Sequence, residues 1–379
     1  MLVKHILTSS LLGFAIFGFS SSVTANDFSQ KVDNLFSAID SSKQPGCSVG
    51  IIEKGKLIHK AGYGSANMEL NVPLDGSHVH RVGSVSKQFT AMAVLLLAEE
   101  GKIDLQEDIR QYLPELRDYG TRVSVNSMLG HFSGMADYDF ISGGERGPVK
   151  QGLNIKSVAG GAFRLGNEDY LTIKEFYDVV KKAPLRHQPN QKWDYSNLAY
   201  FLLSMLVEEV SGETIRQYAD KRIFKPLGMN NTFFSDMPTE IVNNRASGYK
   251  PAKEGGYVTD MTNLFWVGDG GIHTNVEDML KWDQNFYRPK VGKDPEKLIA
   301  LFNQPNSDFK ARDGLYANGQ MIANKDGKKS FAHGGGWLGV LTYYERFPEH
   351  QFSTVVFCNT TDQKPWEYAK QIAELYFGK

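Results

Sequence analysis

The sequence has only two cysteines among its 379 residues and no excess of charge of either sign. Two cysteines are too few for a small disulfide-stabilised domain or a four-cysteine zinc site. Lys and Arg number 42 against 43 Asp and Glu, so no basic surplus can neutralise phosphates, which argues against nucleic-acid binding. The 41% hydrophobic content excludes a disordered chain. What remains is a folded protein of two lobes or domains, of a size typical of enzymes.

The sequence also lacks an apolar run long enough to cross a membrane. The run from Ile6 to Phe19 follows Lys4 and has 14 residues, whereas a spanning helix needs about 20. Val23-Thr24-Ala25 supplies the small residues that signal peptidase reads. We therefore expect residues 1–25 to be a cleaved signal peptide and the mature protein, periplasmic or secreted, to begin at Asn26. No cysteine lies near this point, so no lipid anchor is expected.

Hydrophobic periodicity predicts strands near both ends of the mature chain and helices between them. The predicted strands are 47–53, 56–63, 314–323, 329–334, 339–346 and 352–358. The predicted helices are one beginning near residue 26 and those at 84–100, 170–182, 197–210 and 366–377. This order predicts one sheet closed from both termini, with a helical lobe inserted.

An S-x-x-K sequence, Ser84 to Lys87, opens the most apolar predicted helix. Residues three apart share a helix face, so the lysine can take the proton of the serine hydroxyl. The lysine must be neutral for this, and burial lowers its pKa. About two such matches are expected by chance, and residues 307–310 are the second. An N-cap serine beside a solvated lysine is the alternative.

A Tyr-x-Asn sequence, Tyr195 to Asn197, begins the next strong helix. A tyrosine held near a lysine can shuttle protons, and an asparagine amide can hold a substrate carbonyl. The same pattern recurs at 316–318. Taken alone, either copy is better explained by a structural role.

A run of three glycines, Gly334, Gly335 and Gly336, follows His333 at the end of a strand-like segment. Glycines there let a ligand lie against the backbone, whose N–H groups can donate to an oxyanion. A bulge or turn is the alternative, and without other evidence it is favoured.

Other familiar motifs do not fit. Residues 46–50 match G-x-S-x-G, but that motif needs a strand before it and a helix after it, and here the order is reversed. His78 and His80 lack a cluster of carboxylates or cysteines, so a loop role is expected for them. No H-E-x-x-H, P-loop or dinucleotide fingerprint is present, and neither a metal nor a cofactor is expected.

Taken together, these segments resemble the serine β-lactamase-related family, which includes class C β-lactamases, D-alanyl-D-alanine carboxypeptidases, D-aminopeptidases and lactamase-like esterases. The resemblance follows the family's order over nearly all of the mature chain. Further matching segments are 81–105 (RVGSVSKQFTAMAVLLLAEEGKIDL), 129–135 (LGHFSGM), 223–229 (IFKPLGM) and 269–274 (DGGIHT). The resemblance implies an α/β (α+β) fold: an antiparallel sheet flanked by terminal helices, with an all-helical lobe and the active site between. The sheet lobe would comprise about 26–105 and 300–379, and the helical lobe about 106–299.

The resemblance also implies roles for individual residues. Ser84 would be the nucleophile, Lys87 its partner in proton abstraction and Tyr195 the second acid/base group. Asn197 would orient the substrate carbonyl, and the backbone N–H groups of Ser84 and Gly336 would form the oxyanion hole. Which of the lysine and the tyrosine is the base stays open at this point.

The activity implied is that of an exported serine hydrolase acting through an acyl-enzyme on an ester, an amide or a D-amino-acid peptide bond. Its substrates would be small molecules or peptides, including peptidoglycan-derived ones. One alternative is a peptidoglycan carboxypeptidase or a weak β-lactamase. Another is a catalytically idle protein that binds peptidoglycan fragments.

One departure from the family pattern bears on the substrate. His333-Gly334-Gly335 stands where β-lactamases carry Lys-Thr-Gly, whose lysine and threonine bind the substrate carboxylate. A glycine supplies no hydroxyl, and a histidine is only partly charged near neutral pH. The sequence therefore predicts poor hydrolysis of β-lactams. A second departure is at residues 130–134, where Gly-His-Phe-Ser-Gly stands in place of the family's common Thr-His-Thr-Ser-Gly. We assign no function to this difference.

Two further expectations concern the surroundings of the site. The Gly-rich stretch 136–170 is expected to be a loop over the cleft that selects substrate. Cys47 and Cys358 lie on the first and last predicted strands, which are neighbours in the family fold. Export permits a disulfide between them, but two buried free thiols are the favoured expectation.

Overall fold

A computed structural model describes residues 25–40, 43–138, 171–262, 267–312 and 314–378 of the protein. The predicted signal peptide therefore lies outside the described residues, apart from its last position. Most of the predicted loop at 136–170 lies outside them as well.

The predicted strands and helices are present, and short strands that were not predicted lie between them. Numbered along the described residues, the strands are β1 Cys47–Glu53, β2 Lys56–Tyr63, β3 Ser65–Asn67, β4 Val72–Pro73, β5 His80–Arg81, β6 Phe233–Phe234, β7 Tyr249–Pro251, β8 Tyr257–Thr259, β9 Ile272–Thr274, β10 Leu315–Ala317, β11 Gln320–Lys325, β12 Lys328–Trp337, β13 Val340–Phe347 and β14 Phe352–Cys358. The α-helices are α1 Ala25–Leu35, α2 Lys87–Glu99, α3 Val125–Leu129, α4 Ile173–Val180, α5 Asn197–Ser211, α6 Ile215–Ala219, α7 Lys225–Leu227, α8 Val276–Gln284, α9 Pro295–Phe302 and α10 Pro365–Phe377. Short 3-10 turns lie at Gly83–Ser86, Ile109–Gln111 and Pro348–His350, and a π-helical turn at Asp220–Phe224.

Within the described residues, the main sheet has seven strands in the order β10-β11-β12-β13-β14-β1-β2, and every neighbouring pair is antiparallel. The last strand of the chain thus lies beside the first, which confirms a sheet closed from both termini. The predicted strand 314–323 is divided between β10 and β11 because Asn318 and Gly319 both have positive φ and form a two-residue hairpin turn.

The sheet is covered on both faces, since β14 is buried at every position and β1 at all but its last. Successive side chains of a strand point to opposite faces. Val355 and Phe357 accordingly belong to the core on the side of α2, whereas Val356 packs on the opposite side with Val32 of α1 and Ala369 of α10. The terminal helices therefore cover one face of the sheet. The other face carries α2 and the helices beyond it, in agreement with the predicted fold class.

The expectation of two free thiols is wrong. Cys47 and Cys358 form a disulfide with an S–S distance of 2.08 Å. The antiparallel register of β1 and β14 places the two residues directly opposite each other, with their Cα atoms 3.9 Å apart. Directly opposed residues point to the same face, so the two sulfur atoms meet once this register forms.

Helix α2 begins at Lys87, one of the candidate site residues. It is buried on all sides from Lys87 to Leu97, as expected of a helix inside a core. It packs against α5, and the 3-10 turn before it packs against β12 and β13. None of the helices within the described ranges is long and apolar enough to cross a membrane.

Candidate active site

Ser84 lies in the 3-10 turn that leads into α2, and Lys87 is the first residue of α2. Strand β5 ends at Arg81, and Gly83, with a φ of 52°, turns the chain into the 3-10 segment that carries Ser84. Such a positive φ favours glycine. One turn later, the Nζ of Lys87 lies 3.1 Å from the Oγ of Ser84. The predicted S-x-x-K pair is therefore in hydrogen-bond contact.

Lys87 is fully buried, although it carries an ionisable amine. Its Nζ also donates to the Oδ1 of Asn197 and to the backbone O of Asp269, both at 2.8 Å. Burial lowers its pKa to about 8, against the opposing effect of the carboxylates of Asp269 and Asp137, which raise it. A buried lysine near neutrality can accept a proton, which an exposed lysine cannot do at pH 7.

Tyr195 lies close to both Ser84 and Lys87. Its ring centroid is 4.9 Å from the Nζ of Lys87. Burial raises the pKa of Tyr195, while its hydrogen bond with Ser84 acts in the opposite direction. The phenol is therefore protonated near neutral pH, and its hydroxyl can donate a proton to a group bound at Ser84.

A buried histidine supports the ring of Tyr195. The imidazole of His131 lies 4.2 Å, centroid to centroid, from that ring, and its Nδ1 accepts a hydrogen bond from the backbone N–H of Ser196 at 3.2 Å. Burial holds the pKa of His131 well below its usual value, so the imidazole is neutral. The histidine of the unexplained segment 130–134 thus packs beneath Tyr195.

Asn197 is the first residue of α5, and its side chain is held at both ends. Its Oδ1 accepts the hydrogen bond from Lys87. Its Nδ2 donates to the Oδ2 of Asp137 at 3.3 Å, and its backbone N–H donates to the Oδ1 of Asp137 at 3.0 Å. The predicted residue is therefore at the site, and a carboxylate that the motifs did not indicate fixes its orientation.

The glycine run lies on β12 where this strand passes Ser84. β11 pairs with β12 as far as Ala332, and beyond it this edge of β12 faces the turn at Gly83. A Cβ on Gly83 would lie 2.9 Å from the backbone N of Gly336. Trp337 and Val340 flank a two-residue turn. In such a hairpin the next pair, which contains Gly336, does not exchange hydrogen bonds, so the N–H of Gly336 points away from β13, on the side where Gly83 lies.

Gly335 and Gly334 differ in what surrounds them. A Cβ on Gly335 would lie 2.0 Å from the backbone O of Val82 and 2.3 Å from the Oγ1 of Thr342, whereas a Cβ on Gly334 would be 3.4 Å from the ring of Tyr343. Gly335 therefore lets β12 approach the segment that leads to Ser84. Gly334 has room for a side chain.

His333 is buried, and both of its ring nitrogens contact protein atoms. Its Nδ1 lies 2.6 Å from the backbone O of Gly334, so this nitrogen carries the proton, and its Nε2 lies 3.0 Å from the hydroxyl of Tyr316. Burial, together with the charge of Lys87, lowers the pKa of His333 to about 3. The histidine that replaces the family's lysine is neutral and engaged within the protein.

A small pocket of about 90 Å³ lies beside Ser84, which forms part of its lining. It is lined by Arg81, Gly83, Ser84, Asn197, Asp269, Gly270, Gly336 and Trp337. Burial raises the pKa of Asp269 to about 6, against the opposing charge of Lys87. The structure thus brings together Ser84, Lys87, Tyr195, Asn197 and the β12 glycines.

The segments that were set aside lie elsewhere or serve other contacts. Ser48 is buried within β1 and donates to the backbone O of Asp75, so the G-x-S-x-G match does not form a strand–helix turn. Ser307 lies in an irregular segment, where its Oγ accepts from the N–H of Phe309. No group of three or more His, Cys, Asp or Glu side chains in the described part of the chain could hold a metal.

Sequence reasoning missed four residues of the site: Asp137, His131, Asp269 and Tyr316. Tyr316 belongs to the second Tyr-x-Asn sequence, for which only a structural role was expected, and it is buried and contacts His333. His131 lies within the family-like segment 129–135, and Asp137 follows shortly after it. That segment was the available sequence signal for both residues. The spacing of these residues along the chain does not indicate the contacts they make.

Comparisons with known proteins show to which family the chain belongs. The Beta-lactamase family model matches residues 31–376. Penicillin-binding protein 4* of Bacillus subtilis (strain 168) is 24% identical, over 92% of this chain and 76% of its own length. A D-aminopeptidase of Gluconobacter oxydans (strain 621H) is 23% identical over 88% of this chain, which spans 60% of that longer relative.

Solved structures show the same fold. The octameric penicillin-binding protein homologue from Pyrococcus abyssi superposes with a TM-score of 0.75 at 25% identity, covering 95% of this chain and 78% of its own. A D-stereospecific amidohydrolase from Streptomyces sp. superposes with a TM-score of 0.71 at 18% identity, covering 93% of this chain and 98% of its own, and this likeness concerns the fold alone. Because the family model spans most of the sequence, the chain belongs to the Beta-lactamase family and is a serine hydrolase.

Proposed function

We propose that the protein is an exported hydrolase that forms an acyl-enzyme on Ser84 while cleaving an ester, an amide or a D-amino-acid peptide bond. The contact between Ser84 and the buried Lys87, whose pKa is lowered to about 8, carries this proposal. A neutral amine at 3.1 Å can take the hydroxyl proton as the oxygen attacks a carbonyl. The D-aminopeptidase relative supports an amide or peptide substrate.

The proposed reaction begins when the Oγ of Ser84 attacks the substrate carbonyl carbon and its proton passes to the Nζ of Lys87. The backbone N–H groups of Ser84 and Gly336 stabilise the negative charge on the carbonyl oxygen. Tyr195, whose raised pKa keeps it protonated, gives its proton to the leaving group and is reprotonated from Lys87. Water then enters and attacks the acyl carbon while its proton passes to Lys87, and as the bond to the Oγ breaks this proton returns to Ser84.

Lys87 is the better candidate for the base in the resting enzyme. Burial moves its pKa toward neutrality, whereas burial moves the pKa of Tyr195 upward, away from it. A tyrosine phenolate is therefore costly to form at pH 7, while a neutral lysine amine is accessible.

The β12 edge favours substrates that present no carboxylate to it. His333 is neutral, with its pKa lowered to about 3 by burial, and Gly334 carries no hydroxyl. A β-lactam carboxylate would therefore lack on β12 the charged and hydroxyl partners that strengthen such contacts. We propose that short-chain esters are hydrolysed much faster than cephalosporins.

Export is supported by the bond between Cys47 and Cys358, since disulfides persist mainly outside the cytoplasm. We propose that residues 1–25 direct secretion and are removed. Mass spectrometry of the protein recovered from the periplasm or medium should find Asn26 at the N-terminus. An intact N-terminus on cytoplasmic protein would contradict this part of the proposal.

The test of the mechanism uses a fluorophosphonate probe, which forms a covalent bond with activated serines. The wild type should gain one label, on the peptide that contains Ser84. Ser84→Ala should show no label and only background hydrolysis of p-nitrophenyl esters, with a wild-type melting curve. Ser307→Ala, in the second S-x-x-K sequence, is the matched control and should react like the wild type. Full ester hydrolysis by Ser84→Ala would overturn the mechanism.

Substrate preference is tested on the same preparation. Its turnover of p-nitrophenyl esters, a chromogenic cephalosporin and D-alanyl peptides is compared. Cephalosporin turnover as fast as that of the best ester would refute the proposed preference, and binding of D-alanyl peptides without any turnover would favour an idle binding protein.

A further inference from the structure

The reaction proposed above needs the lone pair of Lys87 to face Ser84. An ammonium group donates three hydrogen bonds, and the Nζ of Lys87 has three acceptors around it: the Oγ of Ser84, the Oδ1 of Asn197 and the backbone O of Asp269. A neutral amine keeps two N–H groups and one lone pair. If both N–H groups stay on Asn197 and Asp269, the lone pair is left for the proton of Ser84.

This arrangement depends on which end of the Asn197 amide faces the lysine. The oxygen and the nitrogen of an amide have nearly the same shape, and the surrounding hydrogen bonds decide its orientation. Rotated by half a turn, Asn197 would present its NH2 group to Lys87. That group would donate to the lone pair and compete with the hydroxyl of Ser84.

Asp137 removes this ambiguity. A carboxylate only accepts hydrogen bonds, so its Oδ2, 3.3 Å from the Nδ2 of Asn197, can hold only the NH2 end of the amide. The carboxylate is itself fixed, because its Oδ1 accepts the backbone N–H groups of Tyr138 at 2.8 Å and of Asn197 at 3.0 Å. The amide oxygen of Asn197 is thereby turned toward Lys87.

We propose that Asp137 is a positioning residue of the active site, which orients the Asn197 amide and through it directs the lone pair of Lys87 toward Ser84. This inference rests on the proposed acyl-enzyme function. A purely structural role is the competing explanation, because Asp137 also accepts a backbone N–H at the first turn of α5. That turn already has a cap, since the Oγ of Ser196 accepts from the N–H of Ala199 at 3.0 Å.

The first measurement compares the full-length wild type with Asp137→Asn. The introduced amide can still accept the backbone N–H groups, but it places a second NH2 group against that of Asn197. The rate of fluorophosphonate labelling should fall by about 10- to 100-fold, as for other groups that orient a reacting residue. Asp108→Asn is the matched control, because Asp108 also accepts two backbone N–H groups, from Arg110 at 2.8 Å and Val123 at 3.2 Å. It should label at the wild-type rate.

A double-mutant cycle separates positioning from a general effect on folding. If Asp137 acts through Asn197, then Asp137→Asn should lower the labelling rate by less than about 3-fold in a protein that already carries Asn197→Ala. In the wild type the same substitution should lower that rate much more. The pH profile of ester kcat/KM gives a second readout. The charge of Asp137 raises the pKa of Lys87, so its removal should move the acid limb to lower pH. Asp269, which also raises this pKa, is present in both proteins.

The outcomes distinguish this inference from the function on which it rests. A wild type labelled at Ser84, together with unchanged labelling and an unchanged pH limb in Asp137→Asn, overturns the role of Asp137 alone. The role of Asp137 is also overturned if Asp137→Asn lowers the labelling rate equally in the wild type and in the Asn197→Ala protein. The effect would then not pass through the amide of Asn197. A wild type that is not labelled at Ser84 overturns both.

Discussion

The close approach of β12 to the segment before Ser84 can be tested with a single methyl group. In Gly335→Ala the new Cβ would lie 2.0 Å from the backbone O of Val82 and 2.3 Å from the Oγ1 of Thr342. Thr342 is already committed to a hydrogen bond with Val82, at 2.7 Å, so the neighbours have little freedom to yield. β12 must instead move away from Val82 by roughly 1.4 Å to lengthen the 2.0 Å approach to an ordinary contact of 3.4 Å.

That movement should affect stability and activity together. Overpacking a dense core costs about 1–3 kcal/mol, and we expect the free energy of unfolding to fall within this range. Gly336, the next residue, would carry its N–H away from the oxyanion position, and a displacement of about 1 Å costs roughly 100-fold in rate. Fluorophosphonate labelling of Ser84 should slow by about that factor.

Urea denaturation and labelling rates, measured on the same preparations, check this prediction. Gly334→Ala is the matched control for stability, because its Cβ would lie at an ordinary 3.4 Å from Tyr343. We expect its free energy of unfolding to stay within about 1 kcal/mol of the wild type. A Gly335→Ala protein that unfolds and labels like the wild type would show that β12 does not pack against Val82 in this way.

Three further predictions follow from the site and the sheet. Replacing Cys47 and Cys358 by alanine should lower the free energy of unfolding by up to about 5 kcal/mol, since the bridge closes a loop with a sequence separation of 311 in the chain-entropy model; an unchanged urea midpoint would contradict this. Ester kcat/KM should rise as pH increases through about 8, because Lys87 must lose its proton to act as the base and its pKa is lowered to about 8; a flat profile from about pH 6 to 9 would argue against this base. His333→Lys combined with Gly334→Thr should raise turnover of carboxylate-bearing substrates relative to neutral esters by about 10-fold, and an unchanged ratio would refute the role assigned to this edge.

The positions of the main helices and strands could be predicted because the periodicity of apolar residues is a local signal. The predicted strand at 352–358 and the predicted helix at 197–210 match β14 and α5 within one residue. The error at 314–323 is also local: the two positive φ values at Asn318 and Gly319 turn the chain inside what was read as one strand.

Part of the site was accessible for a similar reason. The S-x-x-K spacing fixes Ser84 and Lys87 relative to each other, because one helical turn brings both side chains to one face. The choice between this pair and residues 307–310 followed from the apolar helix that Ser84 opens and from the family resemblance. The structure buries Lys87 completely.

What the sequence determined by itself is therefore what short-range geometry controls: the elements, the contact of Ser84 with Lys87 and, through the family resemblance, the fold. The tertiary structure alone decided which partners surround them. The pairing of Cys47 with Cys358 depends on strand register. The hydrogen bonds between Asp137 and Asn197 connect residues that are 60 positions apart in the sequence. Such contacts form only when elements distant in sequence pack together, so no local pattern of residues records them.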